Sequence, residues 1–165
     1  MDQGFVLVYG GNEELIVSCY TDAGFMTDPD DFKSQSGYVF ILNGGAVVCK
    51  SSKQNTVADS MMEVEYVAAS EASKEVVWIK QFLEDLGVVP SALDPVEIYC
   101  DNSGAVAQAR EPSSHHKTMH IQRKYKLIRH HVEEGLLKVR KVHTDLNVSD
   151  LMMKPLPQAN ISNTE

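Results

Sequence analysis

Between Asp59 and Leu86 the chain runs 28 residues without a proline or a glycine. Ala, Glu, Met and Lys recur through it, and all four are good helix formers. A stretch of that length and composition predicts one long helix, around which the rest must be arranged. Val67, Ser70, Val77, Trp78, Phe82 and Leu86 supply much of its expected apolar face. Gly87 and Pro90 mark its end.

The residues before this helix follow a different period. Leu15-Ile16-Val17-Ser18-Cys19-Tyr20 is an apolar, β-branched run that stops at Thr21-Asp22 and reads as a strand. Residues 24 to 37 hold Asp28, Pro29, Asp30, Asp31, Ser34, Ser36 and Gly37, the chemistry of a loop. Tyr38-Val39-Phe40-Ile41-Leu42 and Ala46-Val47-Val48-Cys49 flank Asn43-Gly44-Gly45, which reads as a hairpin with glycine supplying positive φ. After the helix, Val96 to Cys100 is a fourth strand, and a short helix follows to Arg110. Ile121, Tyr125, Ile128 and Val132 give an amphipathic helix. Leu136 to Val142 is a fifth strand, with a final helical turn or two over Val148 to Met153. The expected order is βββαβααβα, in one domain without repeats.

Charge is divided unevenly along the 165 residues. The total is -8, which argues against a protein that grips nucleic acid by charge alone. Residues 1 to 108 carry a net -12, residues 109 to 141 a net +6, and residues 142 to 165 a net -2. The basic block includes Arg110, Lys117, Arg123, Lys124, Lys126 and Arg129, and suits a phosphate-binding surface. No apolar run approaches the roughly 20 residues that cross a bilayer, and Met1 to Gly11 has no basic region of a secretory signal. Cys19, Cys49 and Cys100 form no C-x-x-C pair. They are expected to be buried, reduced thiols. The N-x-[ST] matches at Asn147 and Asn160 carry little weight without a secretory route.

Four carboxylates stand at element boundaries. Asp22 closes the first strand, Asp101 the fourth, Glu63 sits in the opening turns of the long helix, and Asp150 in the opening of the last one. Any one of them alone is explained as a turn former or an answer to a helix dipole. If strands one and four are neighbours, however, Asp22 and Asp101 emerge at one sheet edge, and the helix beginnings can deliver the other two. Converging carboxylates repel unless cations neutralise them, and an all-oxygen ligand set selects Mg²⁺ or Mn²⁺.

Several stretches resemble the ribonuclease H domain of copia-type LTR retrotransposon polyproteins, especially plant ones. They are Tyr20-Thr21-Asp22-Ala23, Lys33 to Phe40, Leu42 to Ala46, Lys50-Ser51-Ser52-Lys53-Gln54, Glu63-Val64-Glu65-Tyr66, Tyr99-Cys100-Asp101-Asn102, and Ser149-Asp150 with Lys154 to Pro157. The resemblance covers roughly residues 7 to 157. It implies an α/β fold of the ribonuclease H type: a five-stranded mixed sheet, three strands antiparallel and then two parallel, flanked by helices. It assigns residues 1–14 to an extension from the polyprotein, 15–157 to the domain, and 158–165 to a tail. It also implies a catalytic and metal-binding quartet of Asp22, Glu63, Asp101 and Asp150. Glu65 competes for the helix position, being about 200° round the helix from Glu63, and the family motif favours Glu63. Two departures from the family pattern stand out: Gly24 follows the first acid closely, and Ser60-Met61-Met62-Glu63 has methionines where the pattern has further hydroxyls that could cap the helix.

The implied activity is endonucleolytic hydrolysis of the RNA strand of RNA·DNA hybrids with two Mg²⁺ ions, Mn²⁺ being a substitute. The implied partners are the hybrid and an upstream reverse transcriptase portion, with no membrane. The isolated domain is expected to be monomeric and to act in the element's cytoplasmic particle, the nucleus being the other location. Asn102, Arg110, Lys117, Arg123 and Lys124 are expected to contact nucleic acid. His143, seven residues before Asp150, is an auxiliary candidate for proton transfer. Two alternatives stay open: a catalytically silent nucleic-acid-binding remnant of the same fold, and a related nuclease acting on DNA.

Overall fold

The computed structural model describes residues 16–28, 30–87, 94–110 and 119–153. The proposed extension 1–14, the tail 158–165, Lys117, Lys154 to Pro157 and Asn160 lie outside the described residues, as does residue 15 of the expected first strand.

The first three strands are β1 (Val17–Gly24), β2 (Gln35–Leu42) and β3 (Gly45–Lys53). They form an antiparallel meander. All three run longer than the apolar runs that announce them, because their far ends carry polar residues that pair as strands. β2 already begins at Gln35, inside the expected loop. At the hairpin, Asn43 (φ 49°) and Gly44 (φ 80°) adopt the two positive φ values of a type I′ turn, which matches the right-handed twist of the strands.

The long helix is α1 (Met61–Leu86), followed by β4 (Val96–Cys100), α2 (Ser103–Arg110), α3 (Met119–Glu133) and β5 (Leu137–Lys141). Two 3₁₀ turns close the described chain, Thr144–Leu146 and Val148–Met152. The sheet order is β3-β2-β1-β4-β5, with β4 parallel to β1 and β5 parallel to β4. The expected mixed sheet is therefore the observed one.

One sheet face meets the helices. Cys19, Phe40, Ile98 and Leu137 are fully buried there, packed with Tyr66, Ala69, Ala72, Val76, Ile79 and Leu83 of α1. Tyr125 and Ile128 of α3 complete the layer. Burial of large side chains at about 1.5–3 kcal/mol each supplies the main stabilising term. Of the expected apolar face of α1, Val67 and Ser70 are fully buried, but its second half points to solvent. Trp78 and Phe82 are 58% and 48% exposed and stack on each other with centroids 5.5 Å apart, and Val77 and Leu86 are exposed too. The core is instead met by a row of small residues in the first half and by Val76, Ile79 and Leu83 in the second. Large apolar residues outside that row misdirected the helical pattern. Cys49 is also exposed, unlike Cys19 and Cys100, because it lies on the opposite sheet face, across from Val39.

Candidate active site

The parallel pairing of β1 with β4 ends at Thr21 opposite Cys100. The next residue on each strand is a carboxylate, Asp22 on β1 and Asp101 just past β4, so strand register alone brings the two together. Asp22 does not close its strand, since β1 continues to Gly24; it sits opposite Gly37 of β2. Asp22, Glu65, Asp101 and Asp150 line one cleft with Gly24, Asn102, Thr144 and Met153.

Of the two glutamates that open α1, Glu65 is among the residues lining this cleft and Glu63 is not. Glu65 is 3% exposed, and its Oε2 lies 3.9 Å from the Cys100 Sγ that donates to it. One ligand atom each from Glu65, Cys100 and Asp101 falls within 4.8 Å of the others. Glu63 turns the other way: its Oε2 accepts from the Asp59 amide at 3.0 Å, while its own amide donates to Ser60 Oγ at 3.3 Å. That is a capping arrangement, in which the first-turn acid also answers the helix dipole. Ser60 is thus the N-cap of α1, so the loss of hydroxyls at positions 61 and 62 leaves the cap intact.

Electrostatics follow from this packing. Burial, then the nearby charges of Asp22 and Asp101, push the Glu65 carboxyl up to about 9. Burial and Asp101 raise Asp22 to about 6, with Asp150 adding to the effect. Hydrogen bonds from the Ala23 amide pull both the other way. Side-chain hydrogen bonds join Asp22 to both Glu65 and Asp150. Carboxyls forced to share protons in this way are a site that favours cations in the protons' place. The carboxylate oxygens of the residues lining the cleft fit a hard divalent ion.

Asp150 arrives on the second 3₁₀ turn, which is tied down at several points. Asn147, 4% exposed, donates through Nδ2 to the Thr21 carbonyl at 2.9 Å. Its Oδ1 accepts from the Ser149 amide at 3.3 Å and the Ser149 hydroxyl at 2.7 Å. Ser51 Oγ donates to the Met152 carbonyl at 3.2 Å. On β2, a Cβ at Gly37 would meet Met153 Sδ at 2.8 Å and Met152 Cβ at 3.4 Å, so glycine is what lets this turn lie against the sheet. Asn147 was missed in the sequence because its N-x-[ST] context suggested only an idle modification site. Its burial and its contact 126 residues away have no local signal.

The remaining candidates separate. Asn102 lines the cleft and caps α2, its Oδ1 accepting from the Ala105 amide at 3.0 Å. Arg110 is exposed at the end of α2, and its Nε and Nη2 both donate to the Val139 carbonyl, at 3.3 and 3.0 Å, tying α2 to β5. Lys124 pairs with Glu71 at 3.5 Å between α3 and α1, and burial holds its ammonium below the usual lysine range. Arg123 is exposed on α3, as a phosphate contact needs. His143 is exposed, accepts from the Asp145 amide at 3.4 Å and lies 3.3 Å from the Asp145 carboxylate; it does not line the cleft.

No protein-family model matches the chain. It is 37% identical over 155 residues to the retrovirus-related Pol polyprotein of transposon TNT 1-94 from Nicotiana tabacum, covering 94% of this chain and 11% of that protein. It is 35% identical over 162 residues to that of transposon RE2 from Arabidopsis thaliana, covering 98% and 11%. The chain thus spans about a tenth of the length of these curated relatives. Among solved structures, the compost-derived LC11-RNase H1 superposes with a TM-score of 0.61 at 20% identity, over 83% of this chain and 91% of that one. The same enzyme in complex with an RNA/DNA hybrid gives 0.58 at 17% identity, over 84% and 99%. By sequence the chain is a homologue of one segment of the retrovirus-related Pol polyproteins of plant transposons, and by fold it is a ribonuclease H-like domain.

Proposed function

We propose that this domain hydrolyses the RNA strand of RNA·DNA hybrids during reverse transcription of a transposon, using divalent cations held by Asp22, Glu65, Asp101 and Asp150. The observation that carries the reading is the gathering of four carboxylates in one cleft, with Glu65 and Asp22 pushed up to about 9 and about 6. A purely structural cluster gains nothing from such repulsion, whereas a cation site is made by it. Mg²⁺ suits the all-oxygen donors, and Mn²⁺ substitutes. Divalent ions held by these four carboxylates would supply activation of a water for attack and offset the charge that develops on the leaving 3′ oxygen.

The chain's own part is to place oxygens rigidly. Asp22 is central because β1 stands between Asp101, its register neighbour, and the turn that carries Asp150. Glu65 is set behind them from α1, screened from water. RNA is selected through 2′-hydroxyls across the minor groove and not by base sequence, with exposed Arg123 among the side chains reaching the phosphates. The products carry 5′-phosphate and 3′-hydroxyl ends. Homology to Pol polyproteins supports a place beside a reverse transcriptase portion; action in the element's cytoplasmic particle is part of the proposal.

The test uses a hybrid labelled on its RNA strand, incubated with Mg²⁺ and either the wild-type domain or Asp22→Asn. Cleavage of RNA by wild type and its loss in the variant are expected. Equal inertness of both leaves a silent binding module, and cleavage confined to a parallel DNA duplex identifies a DNA nuclease.

A further inference from the structure

Asn147 does not itself reach toward the cleft, and it is not among the residues lining it. It holds together two backbone segments that do. Its amide nitrogen bonds the carbonyl of Thr21, the residue immediately before Asp22. Its carboxamide oxygen takes both the amide and the hydroxyl of Ser149, the residue immediately before Asp150. Asn147 and Ser149 are 4% and 0% exposed, so no water competes for these bonds, and a buried group left without its partner is costly. The same side chain also caps the 3₁₀ turn.

A single carboxamide therefore fixes the spacing between the backbones of two acids that come from opposite ends of the chain. We infer that Asn147 is a positioning residue for the metal-binding pair Asp22 and Asp150, setting the affinity of the cation that these two share. The inference rests on the proposed function, because it presumes that the acids hold a cation.

Asparagine is the side chain that fits. It offers a donor to a carbonyl and an acceptor to an amide from one planar group. Aspartate would turn an oxygen toward the Thr21 carbonyl and add a fifth negative charge beside the cluster. Burial of the amide also removes residue 147 as a glycosylation acceptor in the folded chain, whatever its N-x-[ST] context.

The experiment measures Mn²⁺ binding by calorimetry to wild type, Asn147→Ala, Asp150→Asn and the double variant, with folding of each checked by circular dichroism. Asn147→Ala is expected to weaken Mn²⁺ binding about 10- to 100-fold, the range typical of residues that orient metal ligands. In the Asp150→Asn background the same substitution is expected to cost little more, since the spacing it sets no longer joins two carboxylates. Unchanged Mn²⁺ affinity in folded Asn147→Ala overturns the inference, and so does an equal loss in both backgrounds, which is what general destabilisation produces. If Asn147→Ala does not fold, Ser149→Ala takes its place. It removes the 2.7 Å hydroxyl bond and leaves the Thr21 bond, with a smaller loss of affinity expected only when Asp150 is present. A wild-type domain that takes up no Mn²⁺ overturns the cation reading itself, which distinguishes the two failures.

Discussion

Glu63 and Glu65 stand two residues apart on the first turns of α1, and their carboxylates serve different ends of the helix's surroundings. Glu63 Oε2 accepts from the Asp59 amide at 3.0 Å and closes the helix start. Glu65 Oε2 sits 3.9 Å from Cys100 Sγ, inside the acidic cleft. Both are nearly buried, at 7% and 3% exposure, so burial does not distinguish them. Direction does, because residues two apart point about 200° away from each other on a helix.

Glu63 should therefore behave as a cap. Glu63→Ala is expected to lower stability by about 0.5–2 kcal/mol, as loss of a capping interaction does. It should leave hybrid cleavage within a few-fold of wild type once both proteins are folded. Urea unfolding followed by an activity assay below the transition checks both halves, and loss of activity without loss of stability would contradict the assignment.

The stability of the cation-free domain should fall as pH rises. For Glu65 and Asp22 the folded state holds its protons to a higher pH than the unfolded chain, so between about pH 4 and pH 9 the folded state binds more protons. Stability then declines with pH across that window. In EDTA, Tm is expected to drop on going from pH 6 to pH 8.5. Since 1 kcal/mol moves Tm by about 2–4 °C in a domain of roughly this size, the fall should be at least that large. Saturating Mg²⁺ should flatten the profile. A Tm that rises with pH in EDTA would count against the raised values.

Gly37 should be intolerant for reasons of contact. Gly37→Ala places a methyl 2.8 Å from Met153 Sδ and 3.4 Å from Met152 Cβ, a clash costing about 1–3 kcal/mol. Pushing the Asp150 turn outward by even about 1 Å is expected to lower cleavage roughly 10²-fold. Adding Met153→Ala should recover part of the loss by relieving the closest contact. No recovery in the double variant would locate the damage elsewhere.

The basic residues should divide by exposure. Arg123→Ala is expected to weaken hybrid binding and to reduce the slope of log affinity against log salt by about 1, as loss of one phosphate contact does. Lys124→Ala, by contrast, breaks the partly buried contact with Glu71 between α3 and α1. It should lower stability and leave the salt slope unchanged. Fluorescence anisotropy at several salt concentrations separates them.

What could be read from sequence depended on whether the signal was local. β4 was legible to the residue, since Val96–Cys100 is a short apolar run between turn residues. The lengths of β1 to β3 were not, because polar residues such as Gln35 and Lys53 pair across the sheet without any hydrophobic pattern. Convergence of Asp22 and Asp101 followed from assuming that strands one and four are neighbours, and the register makes them so. The choice between Glu63 and Glu65 rests on how α1 is rotated about its axis. That rotation is set by the row Ala69, Ala72, Val76, Ile79 and Leu83 packing on the sheet, not by the exposed Trp78 and Phe82. The preference for Glu63 came from the motif resemblance, which carries no information on that rotation. Asn147 had no local signal, its meaning lying wholly in a contact with Thr21.

The account stands most directly on cleavage of an RNA-labelled hybrid in Mg²⁺ by wild type, Glu65→Gln and Glu63→Gln side by side. Loss of a group that holds a catalytic cation forfeits several kcal/mol of charge stabilisation, or about 10²–10³-fold in rate. Cleavage by wild type and Glu63→Gln, with Glu65→Gln slowed by at least about 10²-fold, is the predicted result. Full activity in Glu65→Gln together with its loss in Glu63→Gln would contradict the site described, and inactivity of all three would contradict the function.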